Sequence, residues 1–538
     1  MTPVLAEVVE PESAFLARRP SLLHVLILFL LWCHRRERVE LRCEAHSWKS
    51  LHRRAKERIE GLKSEIDVLK ARIRELEQER YGSKSECKRG SERSGQRKKR
   101  RKRGQQRGSP GHGRTALPDL PVQDEVVDLE EEKKRCPGCG NPFEPFPGSE
   151  DSELVEIEVR AYRRRIRRPR YRPTCSCGQV PGIVAAPAPP RLIPRGKLGV
   201  SVWAEILLDK FLYLRPTHRL LQQLADHGLK ISPGTVADGL QRLAGLFEPL
   251  CEAIRERQLL EGQWHGDETS WRVFVLAEGK RTSHWFLWVF CSRSTVYYMI
   301  RPSRATEVAE AHFGRACGWL VCDRYAVYKK LAKQGRIWLA HCWAHMRRDF
   351  IKAAVGHPQL EGWSAGWVES IGELFHLNNQ RLQALERPGR EGFTPLNRQL
   401  REALGNMRQE SARQLQQQIP AASRKVLQSL QNHWPTLTVF LKRPQIPMDN
   451  NAAERALRGP VVGRKNFYGS GSERSAQLAA SMFTVLQTAR LCGLNPRSWL
   501  LAYLQACAEQ GGKPPPELSP FLPWEMDPQQ KARLQKPH

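Results

Sequence analysis

Three acidic residues in three different local settings constrain this chain more than any other feature of its sequence. Asp267 lies within residues 264–271, and Asp323 follows the apolar residues 319–322. Both segments have the composition of β-strands, whereas Glu454 opens a helix-like run. Two aspartates on neighbouring strands and a glutamate on a later helix can converge on a pair of divalent metal ions. A site of that kind supports in-line displacement at a phosphodiester.

Each acidic residue also has a structural explanation that the sequence leaves open. Glu268 adjoins Asp267, and because side chains alternate along a strand, only one of the two can face a metal. Asp323 could instead cap the helix that follows it. Glu454 fits the last position of a capping box, or it could pair with Arg458 four residues later. The catalytic interpretation therefore rests on the three residues occurring together.

The charge of the whole chain indicates a polyanionic partner. The sequence has 538 residues, a formal net charge of +30 and an isoelectric point near 9.9. Its length predicts roughly three or four domains. The excess of positive charge is larger than solubility requires, so we expect nucleic acid as the partner. The alternative is a basic tail on an otherwise neutral protein.

The cysteines indicate a reducing compartment. Of the 14 cysteines, Cys136, Cys139, Cys175 and Cys177 have ligand-like spacing, and the others are scattered. This pattern favours a reducing cytosol over a disulfide framework. The apolar residues 22–33 are too few to span a bilayer. They could be a signal h-region, but a buried helix or sequence upstream of the true start codon is favoured.

Two N-terminal segments have contrasting compositions. Residues 55–76 carry apolar side chains at alternating spacings of four and three, which predicts a coiled coil and self-association. The alternative is an amphipathic helix packed on its own domain. Further along, a basic run lacks apolar residues and is expected to be disordered when free. Its predicted role is salt-dependent contact with DNA phosphates, and a plain linker is the alternative. The run comprises Arg97, Lys98, Lys99, Arg100, Arg101, Lys102 and Arg103.

The four spaced cysteines predict a structural zinc site. Two tight pairs, Cys136 with Cys139 and Cys175 with Cys177, suit tetrahedral Zn²⁺ on two knuckles, although a redox pair is the alternative. Between the pairs, residues 160–172 predict a basic β-hairpin that faces DNA. Its expected phosphate contacts are Arg163, Arg164 and Arg165.

The second half of the chain alternates between helical and strand-like patterns. A helix over 217–227, a stop at Gly228 and a new start at Ser232 suggest a helix-turn-helix, although any helical hairpin would look similar. Strands are predicted at 284–290, 295–300, 318–322 and 337–340, with a short helix over 305–313. Residues 350–445 then appear mostly helical. The order predicts a mixed α/β sheet followed by a helical insertion.

Several further side chains suggest metal or DNA contacts. His341, Cys342 and His345 resemble a metal cluster, but no fourth ligand is nearby in sequence, so structural roles are favoured. His345 is instead expected to face phosphate or the active site, together with Arg347 and Arg348. Basic residues after Glu454 would hold the scissile strand, or they could be solvated helix charges. These are Arg455, Arg458, Arg464 and Lys465.

From about residue 51 to its end, the sequence resembles the transposases of the insertion sequence 66 family. The resemblance is carried by short motifs that occur in a fixed order. They lie at 80–86, 110–112, 117–121, the two cysteine pairs, 265–269, 322–325, 342–348, 450–455, 464–466 and 521–524. Residues 1–50 match nothing in that family, and the basic run at 97–103 is denser than the family would suggest.

The resemblance implies a retroviral-integrase-like, RNase H-like catalytic core. It places an Asp-Asp-Glu triad on Asp267, Asp323 and Glu454 and implies dependence on Mg²⁺, or Mn²⁺, with two ions per site. It also implies recognition of terminal inverted repeats in double-stranded DNA and small accessory proteins from the same element. We expect a homo-oligomer that does not enter a membrane. The alternatives are a non-catalytic zinc-containing DNA-binding protein, such as a repressor, and a metal-dependent nuclease.

These expectations combine into a multidomain α+β architecture. The RNase H-like core carries a large all-α insertion and follows a coiled coil, a Cys₄ zinc module and a helix-turn-helix-like domain. The predicted segments, in chain order, are an unplaced segment at 1–50, the coiled coil at 51–80, a basic linker at 81–120, the zinc module at 121–190, the helical domain at 191–260, the core at 261–349, the insertion at 350–445, the Glu-bearing part of the core at 446–500 and a tail at 501–538.

Overall fold

The computed structural model describes residues 22–81, 122–144, 152, 154–155, 157, 159–172, 174, 183–275 and 284–536. These residues form a mixed α/β fold with many helices. The helices are α1 (Leu22–Tyr81), α2 (Val200–Phe211), α3 (Thr217–Asp226), α4 (Pro233–Leu243), α5 (Glu248–Leu260), α6 (Thr306–Phe313), α7 (Ala326–Ala332), α8 (Trp343–Gly356), α9 (Glu361–Glu386), α10 (Phe393–Leu415), α11 (Ala421–Asn432), α12 (Trp434–Leu437), α13 (Val439–Lys442), α14 (Asn451–Phe467), α15 (Glu473–Leu491), α16 (Pro496–Glu509) and α17 (Pro528–Gln535).

The strands belong to two sheets. One is a two-stranded antiparallel pair, and the other has five strands in the order β5-β4-β3-β6-β7. The strands are β1 (Arg170–Tyr171), β2 (Val184–Ala185), β3 (Gln263–Arg272), β4 (His284–Cys291), β5 (Val296–Arg301), β6 (Gly318–Cys322) and β7 (Ile337–His341). The predicted strands at 284–290, 295–300, 318–322 and 337–340 are therefore confirmed to within one residue at each end. The helix over 305–313 and the helical character of 350–445 are confirmed as well.

The described residues divide into two compact units. One comprises those within Met1–Glu86, Arg348–Glu369 and Ile419–Val426, and the other comprises the rest. In the first unit, α1 packs one side against the end of α8. Ala71 is buried, a Cβ on Gly356 would lie 3.4 Å from its methyl group, and Arg74 donates a hydrogen bond to the Gly356 carbonyl.

The apolar heptad stripe of α1 lies on the opposite side from this contact. Six of its side chains are between 42% and 57% exposed in the single chain. They are Ile59, Leu62, Ile66, Leu69, Ile73 and Leu76. The expectation of a buried helix over 22–33 is wrong for this chain alone, because the apolar side chains described in that segment are exposed: Val25, Leu26, Ile27, Phe29, Leu30, Leu31 and Trp32. Nevertheless, none of the helices within the described ranges is long and apolar enough to cross a membrane.

The five-stranded sheet combines antiparallel and parallel pairing. Strands β5, β4 and β3 form antiparallel neighbours, whereas β3 pairs in parallel with β6, and β6 pairs in parallel with β7. The edge strand β5 is covered by α15. The hydroxyls of Thr484 and Thr488 accept hydrogen bonds from the Tyr298 and Val296 N–H groups at 2.9 and 3.1 Å. These contacts give backbone donors at an open sheet edge the partners they require.

The two faces of the sheet are covered by different helices. Trp264 and Leu320 point to one face and join a core that includes Phe313 of α6 and Tyr328 of α7. On the other face, Trp271 of β3 joins the core formed by α14 and α15. Because successive residues of β3 alternate between these faces, Asp267 shares the α14 side with Trp271, and Glu268 shares the α6–α7 side.

The predicted helical hairpin is present between α3 and α4. Gly228 adopts a positive φ of 81° after α3, as a helix stop requires. Ser232 then caps α4, because its hydroxyl accepts the Thr235 N–H at 3.2 Å and Pro233 occupies the first turn. The sequence therefore located the helix boundaries, while the contact with DNA remains a prediction.

The basic hairpin expected at 160–172 is largely wrong. Only Arg170 and Tyr171 form a strand, paired with Ala185 and Val184, and residues 159–169 have irregular backbone. Charged side chains at successive positions leave this segment with no apolar face to pack, so a longer strand pair has nothing to cover it. The segment is nevertheless exposed throughout, including Arg163, Arg164 and Arg165.

Candidate active site

Strand register brings the two predicted aspartates to the same level of the sheet. His265 of β3 pairs with Val321 of β6, and Asp267 and Asp323 each lie two residues further along their parallel chains. Side chains two residues apart share a face, so both carboxylates point to the α14 side. Asp267 lies inside β3, whereas Asp323 directly follows the end of β6.

Glu454 approaches from α14, which packs across β3 and β4. The helix begins at Asn451, with Asn450 as the N-cap residue, and Glu454 lies in its first turn. The cap makes no side-chain hydrogen bond to the helix, so the capping-box alternative for Glu454 is wrong. Its carboxylate instead lies 3.6 Å from the His345 imidazole Nε2, and both side chains are partly exposed.

Asn450 fixes the start of α14 to the central strand, and sequence reasoning assigned it no role. Its amide nitrogen donates to the Gly266 carbonyl at 2.8 Å, and its amide oxygen lies 3.2 Å from His265 Nδ1. Its backbone N–H donates to the Cys342 thiol at 3.2 Å. Because Asn450 is fully buried, these contacts determine where the first turn of α14, and with it Glu454, lies beside β3.

A proline within α14 provides a second anchor. Pro460 has no N–H, so the Ala456 carbonyl four residues earlier loses its usual helical partner. The hydroxyl of Tyr298 on β5 donates to that carbonyl at 2.8 Å. Further along the helix, Arg464 donates to the Thr269 and Ser270 hydroxyls at 3.2 and 2.8 Å. Arg464 therefore holds the helix on β3, which corrects its expected role as a phosphate contact.

The electrostatics of Asp267 indicate crowding of negative charge. Burial raises the pKa of its carboxyl to about 7, and the nearby charges of Glu268, Asp323 and Glu454 add to the rise. The one opposing contact is the Glu268 N–H, which donates to Asp267 at 2.8 Å. A bound cation would relieve this repulsion, which is typical of carboxylates that share a metal site.

Glu268, on the opposite face, is surrounded by donors. Its carboxylate accepts from the Arg304 Nε at 3.0 Å and from the Tyr328 hydroxyl, and its side chain is only 1% exposed. Burial raises the pKa of Glu268 as well, but the hydrogen bonds from Tyr328 and Arg304 oppose that rise. The contacts of Glu268 lie within the fold, so the geometry favours Asp267 as the candidate site residue, and that choice stays a prediction.

Asp323 keeps one local contact. Its Oδ1 accepts the Tyr325 N–H at 2.9 Å, which shapes the turn after β6. The N-cap of the next helix, α7, is Tyr325, so Asp323 does not cap it. The charge of Asp323 acts on both Asp267 and Glu268 and raises the pKa of each carboxyl, although burial is the largest cause of both rises.

The donor set fits hard divalent cations. Mg²⁺ binds few protein carboxylates and retains several waters, and Asp267, Asp323 and Glu454 offer only oxygen. Because two ions in such a site lie about 3.5–4 Å apart, their carboxylate ligands can be further from one another than the ligands of a single ion. Within the described ranges, one group of three side chains has ligand atoms all within 4.8 Å of one another: Cys342, His345 and Glu454.

The remaining predicted residues occupy varied positions. His341 belongs to a separate network, because its Nδ1 lies 2.6 Å from the Thr436 hydroxyl, and burial lowers its pKa to about 3. Arg455, Arg458 and Lys465 are exposed on α14, and Arg347 and Arg348 are half-buried on α8. The basic run at 97–103 and the cysteines 175 and 177 lie outside the described residues.

One half of the predicted zinc site is described. The backbone of Cys136 both donates to the Asn141 carbonyl at 2.9 Å and accepts the Gly140 N–H at 2.8 Å, which closes a tight turn. N–H groups of Gly138 and Cys139 donate to the Cys136 sulfur and lower its pKa. A turn of this kind suits a metal knuckle, because those donors favour a thiolate. Among the cysteines whose side chains the structure describes, ten are free thiols.

Comparison with known proteins places the chain in a family. A family model described as "Transposase IS66 family" matches residues 195–478, which is more than half of the chain. Two relatives from Sinorhizobium fredii are similar over most of their lengths. The uncharacterized protein y4hP is 28% identical over 443 residues, covering 77% of this chain and 76% of the relative. The uncharacterized protein y4jD is 27% identical over 428 residues, covering 75% and 80%.

Solved structures show only weak likeness. The crystal structure of the Mos1 strand transfer complex is 14% identical, covers 29% of this chain and 59% of its own, and has a TM-score of 0.11. The Mos1 transposase paired-end complex with left transposon end is 13% identical, covers 46% and 79%, and also has a TM-score of 0.11. Neither likeness carries weight for the fold. On the family match, this chain belongs to the IS66 family of transposases.

Proposed function

We propose that this transposase cuts and joins DNA at an RNase H-like core in which Asp267, Asp323 and Glu454 hold a pair of Mg²⁺ or Mn²⁺ ions. The main support is the placement of the three carboxylates beside β3: burial raises the pKa of Asp267 to about 7, and the charges of Glu268, Asp323 and Glu454 add to that rise. The mixed five-stranded sheet, with the two aspartates on adjacent central strands, also supports such a core. Ionised carboxylates that are both buried and crowded by like charges are unfavourable unless a cation compensates their charge.

The metal pair would supply Lewis acidity and orient the attacking and leaving oxygens. Asp267 and Asp323 hold positions fixed by the parallel pairing of β3 and β6. Glu454 is positioned by Asn450, whose hydrogen bonds join α14 to β3. Water attack at an element end would free a 3′-hydroxyl, and that hydroxyl would attack target DNA at the same carboxylates.

Exposed and half-buried basic side chains would position the DNA. Arg455, Arg458 and Lys465 follow Glu454 on the same helix, and Arg347 and Arg348 follow His345 on α8. Contacts of this kind fix the register of a strand without selecting its sequence. We propose that α3, α4, the basic segment around Arg164 and the run at 97–103 bind the element ends. In this proposal the enzyme acts at the bacterial nucleoid, alongside small proteins of the same element.

Zinc would organise the segment before the core. Cys136 and Cys139 already form a knuckle-like turn whose N–H groups face sulfur. With Cys175 and Cys177 they provide four thiolates, the set that structural Zn²⁺ prefers. The metal would therefore stabilise a segment that has little regular structure among its described residues between 122 and 172.

The exposed stripe of α1 supports pairing of two copies. Ile59, Ile66 and Ile73 occupy one core position of each heptad, and leucines occupy the other. This distribution favours a parallel two-stranded coiled coil. In that arrangement Glu65 would face Lys70 of a second copy, and Arg72 would face Glu77, while Arg58 and Lys63 would oppose each other. Two of three flanking pairs therefore favour the parallel dimer.

Cleavage and strand transfer with DNA carrying the element ends test the catalytic proposal. Asp267→Asn or Asp323→Asn should reduce both activities by about 1,000-fold or more, while binding to the ends is retained. The matched control is Glu473→Gln, which removes an exposed carboxylate from the first turn of α15. Retained cleavage in both aspartate variants would overturn the site. Binding without any metal-dependent nicking would favour a repressor, and nicking without joining would favour a nuclease.

Sedimentation tests the pairing of α1. Ile66→Lys combined with Leu69→Lys should dissociate the dimer, because it places charge in the coiled-coil core. Val68→Lys is the control, since Val68 is also exposed but lies outside the heptad core positions. A dimer that survives the double substitution would contradict pairing through α1.

A further inference from the structure

A cysteine, a histidine and the proposed catalytic glutamate converge at one point of the fold. The Cys342 sulfur, a ring nitrogen of His345 and a Glu454 oxygen all lie within 4.8 Å of one another. Cys342 and His345 are three residues apart where α8 begins, and Glu454 comes from the first turn of α14. The group differs chemically from the all-oxygen set at Asp267 and Asp323.

Local backbone groups hold the sulfur in position. The N–H of Asn450 donates to Cys342 Sγ at 3.2 Å, and the N–H groups of Ala344 and His345 also face it. Cys342 is 1% exposed, so its sulfur has little freedom to move. Donors of this kind stabilise a thiolate once a metal has displaced its proton. The thiol itself stays protonated without metal, because burial raises the pKa of Cys342 to about 11.

The spacing of the other two ligands fits one tetrahedral ion. His345 Nε2 and Glu454 Oε1 are 3.6 Å apart, which is too long for a hydrogen bond. Two ligands bound to Zn²⁺ at about 2.0 Å and tetrahedral angles would be about 3.3 Å apart. The Cys342 sulfur lies within 4.8 Å of the other two ligand atoms, so adjustment of the three side chains would bring them around one ion.

We propose that Cys342, His345 and Glu454 form a binding site for one borderline-soft divalent ion, Zn²⁺ or a transition metal of similar preference. The ion would bind the Cys342 thiolate, the neutral His345 ring and one Glu454 oxygen, and the thiol proton would pass to solvent. Three protein ligands leave a fourth position for water or a phosphate oxygen. Mg²⁺ would not compete for this site, because it avoids sulfur.

Occupation of this site would have a consequence for catalysis that rests on the proposed function. Glu454 cannot serve the soft ion and the Mg²⁺ pair with the same oxygens. Zn²⁺ would therefore withdraw Glu454 from Asp267 and Asp323 and inhibit DNA cleavage. Metal binding itself does not depend on that proposal, since its three ligands are defined by their own distances.

Cobalt binding tests the site directly. Co²⁺ is added to the full chain carrying Cys136→Ser and Cys139→Ser, so that the N-terminal cysteine turn does not contribute. We expect one equivalent of Co²⁺ with the absorption of a tetrahedral ion and a thiolate-to-cobalt charge-transfer band. Cys342→Ser should abolish the charge-transfer band, and His345→Gln should weaken binding at least about 10-fold. Zn²⁺ should displace the cobalt, whereas Mg²⁺ should not.

Two control variants separate this site from other cysteines and from the Mg²⁺ site. Cys317→Ser removes an exposed thiol and should leave the spectrum unchanged. Asp267→Asn should also leave it unchanged while abolishing DNA cleavage, so failure of either proposal is distinguishable from failure of the other. If Cys342→Ser does not fold, His345→Gln carries the test, because its side chain is partly exposed. Absence of a charge-transfer band, or a band that survives both variants, would overturn the proposal.

Discussion

Asp267 and Glu268 are neighbours on β3, yet their carboxylates lie on opposite faces of the sheet and have different surroundings. On the α6–α7 face, Glu268 receives hydrogen bonds from Arg304 and Tyr328. On the α14 face, Asp267 meets the charges of Asp323 and Glu454 and accepts from one backbone N–H. A buried carboxylate with donors stabilises its surroundings, whereas one crowded by other carboxylates stores unfavourable energy that a ligand can release. The contrast favours the α14 face as the place of the proposed metal site.

The largest effect on stability is expected on the α6–α7 face, where hydrogen bonds compensate the charge of Glu268. Glu268→Ala should lower the free energy of unfolding by about 2–4 kcal/mol, because it leaves the Tyr328 hydroxyl buried without its acceptor and opens a cavity. Urea denaturation measures this loss. Glu473→Ala, at an exposed carboxylate, should change stability by less than about 0.5 kcal/mol. Equal losses of unfolding free energy in the two variants would show that the hydrogen bonds of Glu268 do not stabilise the fold.

The placement of Glu454 beside Asp267 is expected to depend on Asn450. Asn450→Ala should lower the free energy of unfolding by about 2–3 kcal/mol, because the Gly266 carbonyl and the His265 ring lose a buried partner. It should also reduce DNA cleavage, since Glu454 loses its anchor to β3. Asn451→Ala is the neighbouring control and should do neither. An unchanged rate in Asn450→Ala would show that Glu454 is positioned by other contacts.

Neutralising the crowded carboxylate should stabilise the metal-free protein. The pKa of Asp267 is raised from 3.8 to about 7 in the folded state, so folding favours its protonated form. Asp267→Asn should therefore raise the free energy of unfolding at pH 8 by about 1–3 kcal/mol, allowing for partial exposure to solvent. The gain should grow as pH rises from about 4 to about 7 and vanish below about pH 4, where Asp267 is protonated in both states.

Denaturation of both proteins across this pH range, in the presence of a chelator, measures the effect. Mg²⁺ should remove the difference by stabilising the wild-type chain more than Asp267→Asn, because the ion binds the ionised carboxylate. A variant that is less stable than the wild type at pH 8 without metal would contradict the crowding on the α14 face.

The smallest effect is expected at the second anchor of α14. Tyr298→Phe should lower the free energy of unfolding by about 1 kcal/mol, because the Ala456 carbonyl freed by Pro460 loses its donor. Tyr297→Phe is the matched control, since that ring lies on the opposite face of β5 and stacks near His312. Thermal denaturation compares the two. Equal effects would show that the hydroxyl of Tyr298 does not support the helix.

Local patterns in the sequence located most elements of the core. The apolar runs at 284–290 and 318–322 became β4 and β6, because short β-branched and aromatic runs between polar turns have few other favourable structures. Ser232 and Pro233 marked the start of α4 because capping depends on neighbours within one turn. The same local information placed Asp267 in β3 and Asp323 at the end of β6.

Contacts between distant segments were not predictable in this way. Alternation indicated that Asp267 and Glu268 face opposite sides, but only the placement of α14 and of Arg304 determines which side is crowded. Asn450 meets Gly266 across 184 positions of sequence, and no local pattern encodes that contact. The same applies to His345 and Glu454. They are far apart in the sequence and come close only because the first turns of α8 and α14 are adjacent in the fold.

Localised hydroxyl-radical cleavage with Fe²⁺ in place of Mg²⁺ tests the central claim most directly. An iron bound by the carboxylates should cut the polypeptide next to Asp267, Asp323 and Glu454, and excess Mg²⁺ should suppress the cuts next to Asp267 and Asp323, which the site at Cys342 does not share. Asp267→Asn should remove those two cuts together. Cuts that arise only elsewhere in the chain, or that persist unchanged in Asp267→Asn, would contradict a shared metal site on the α14 face of β3.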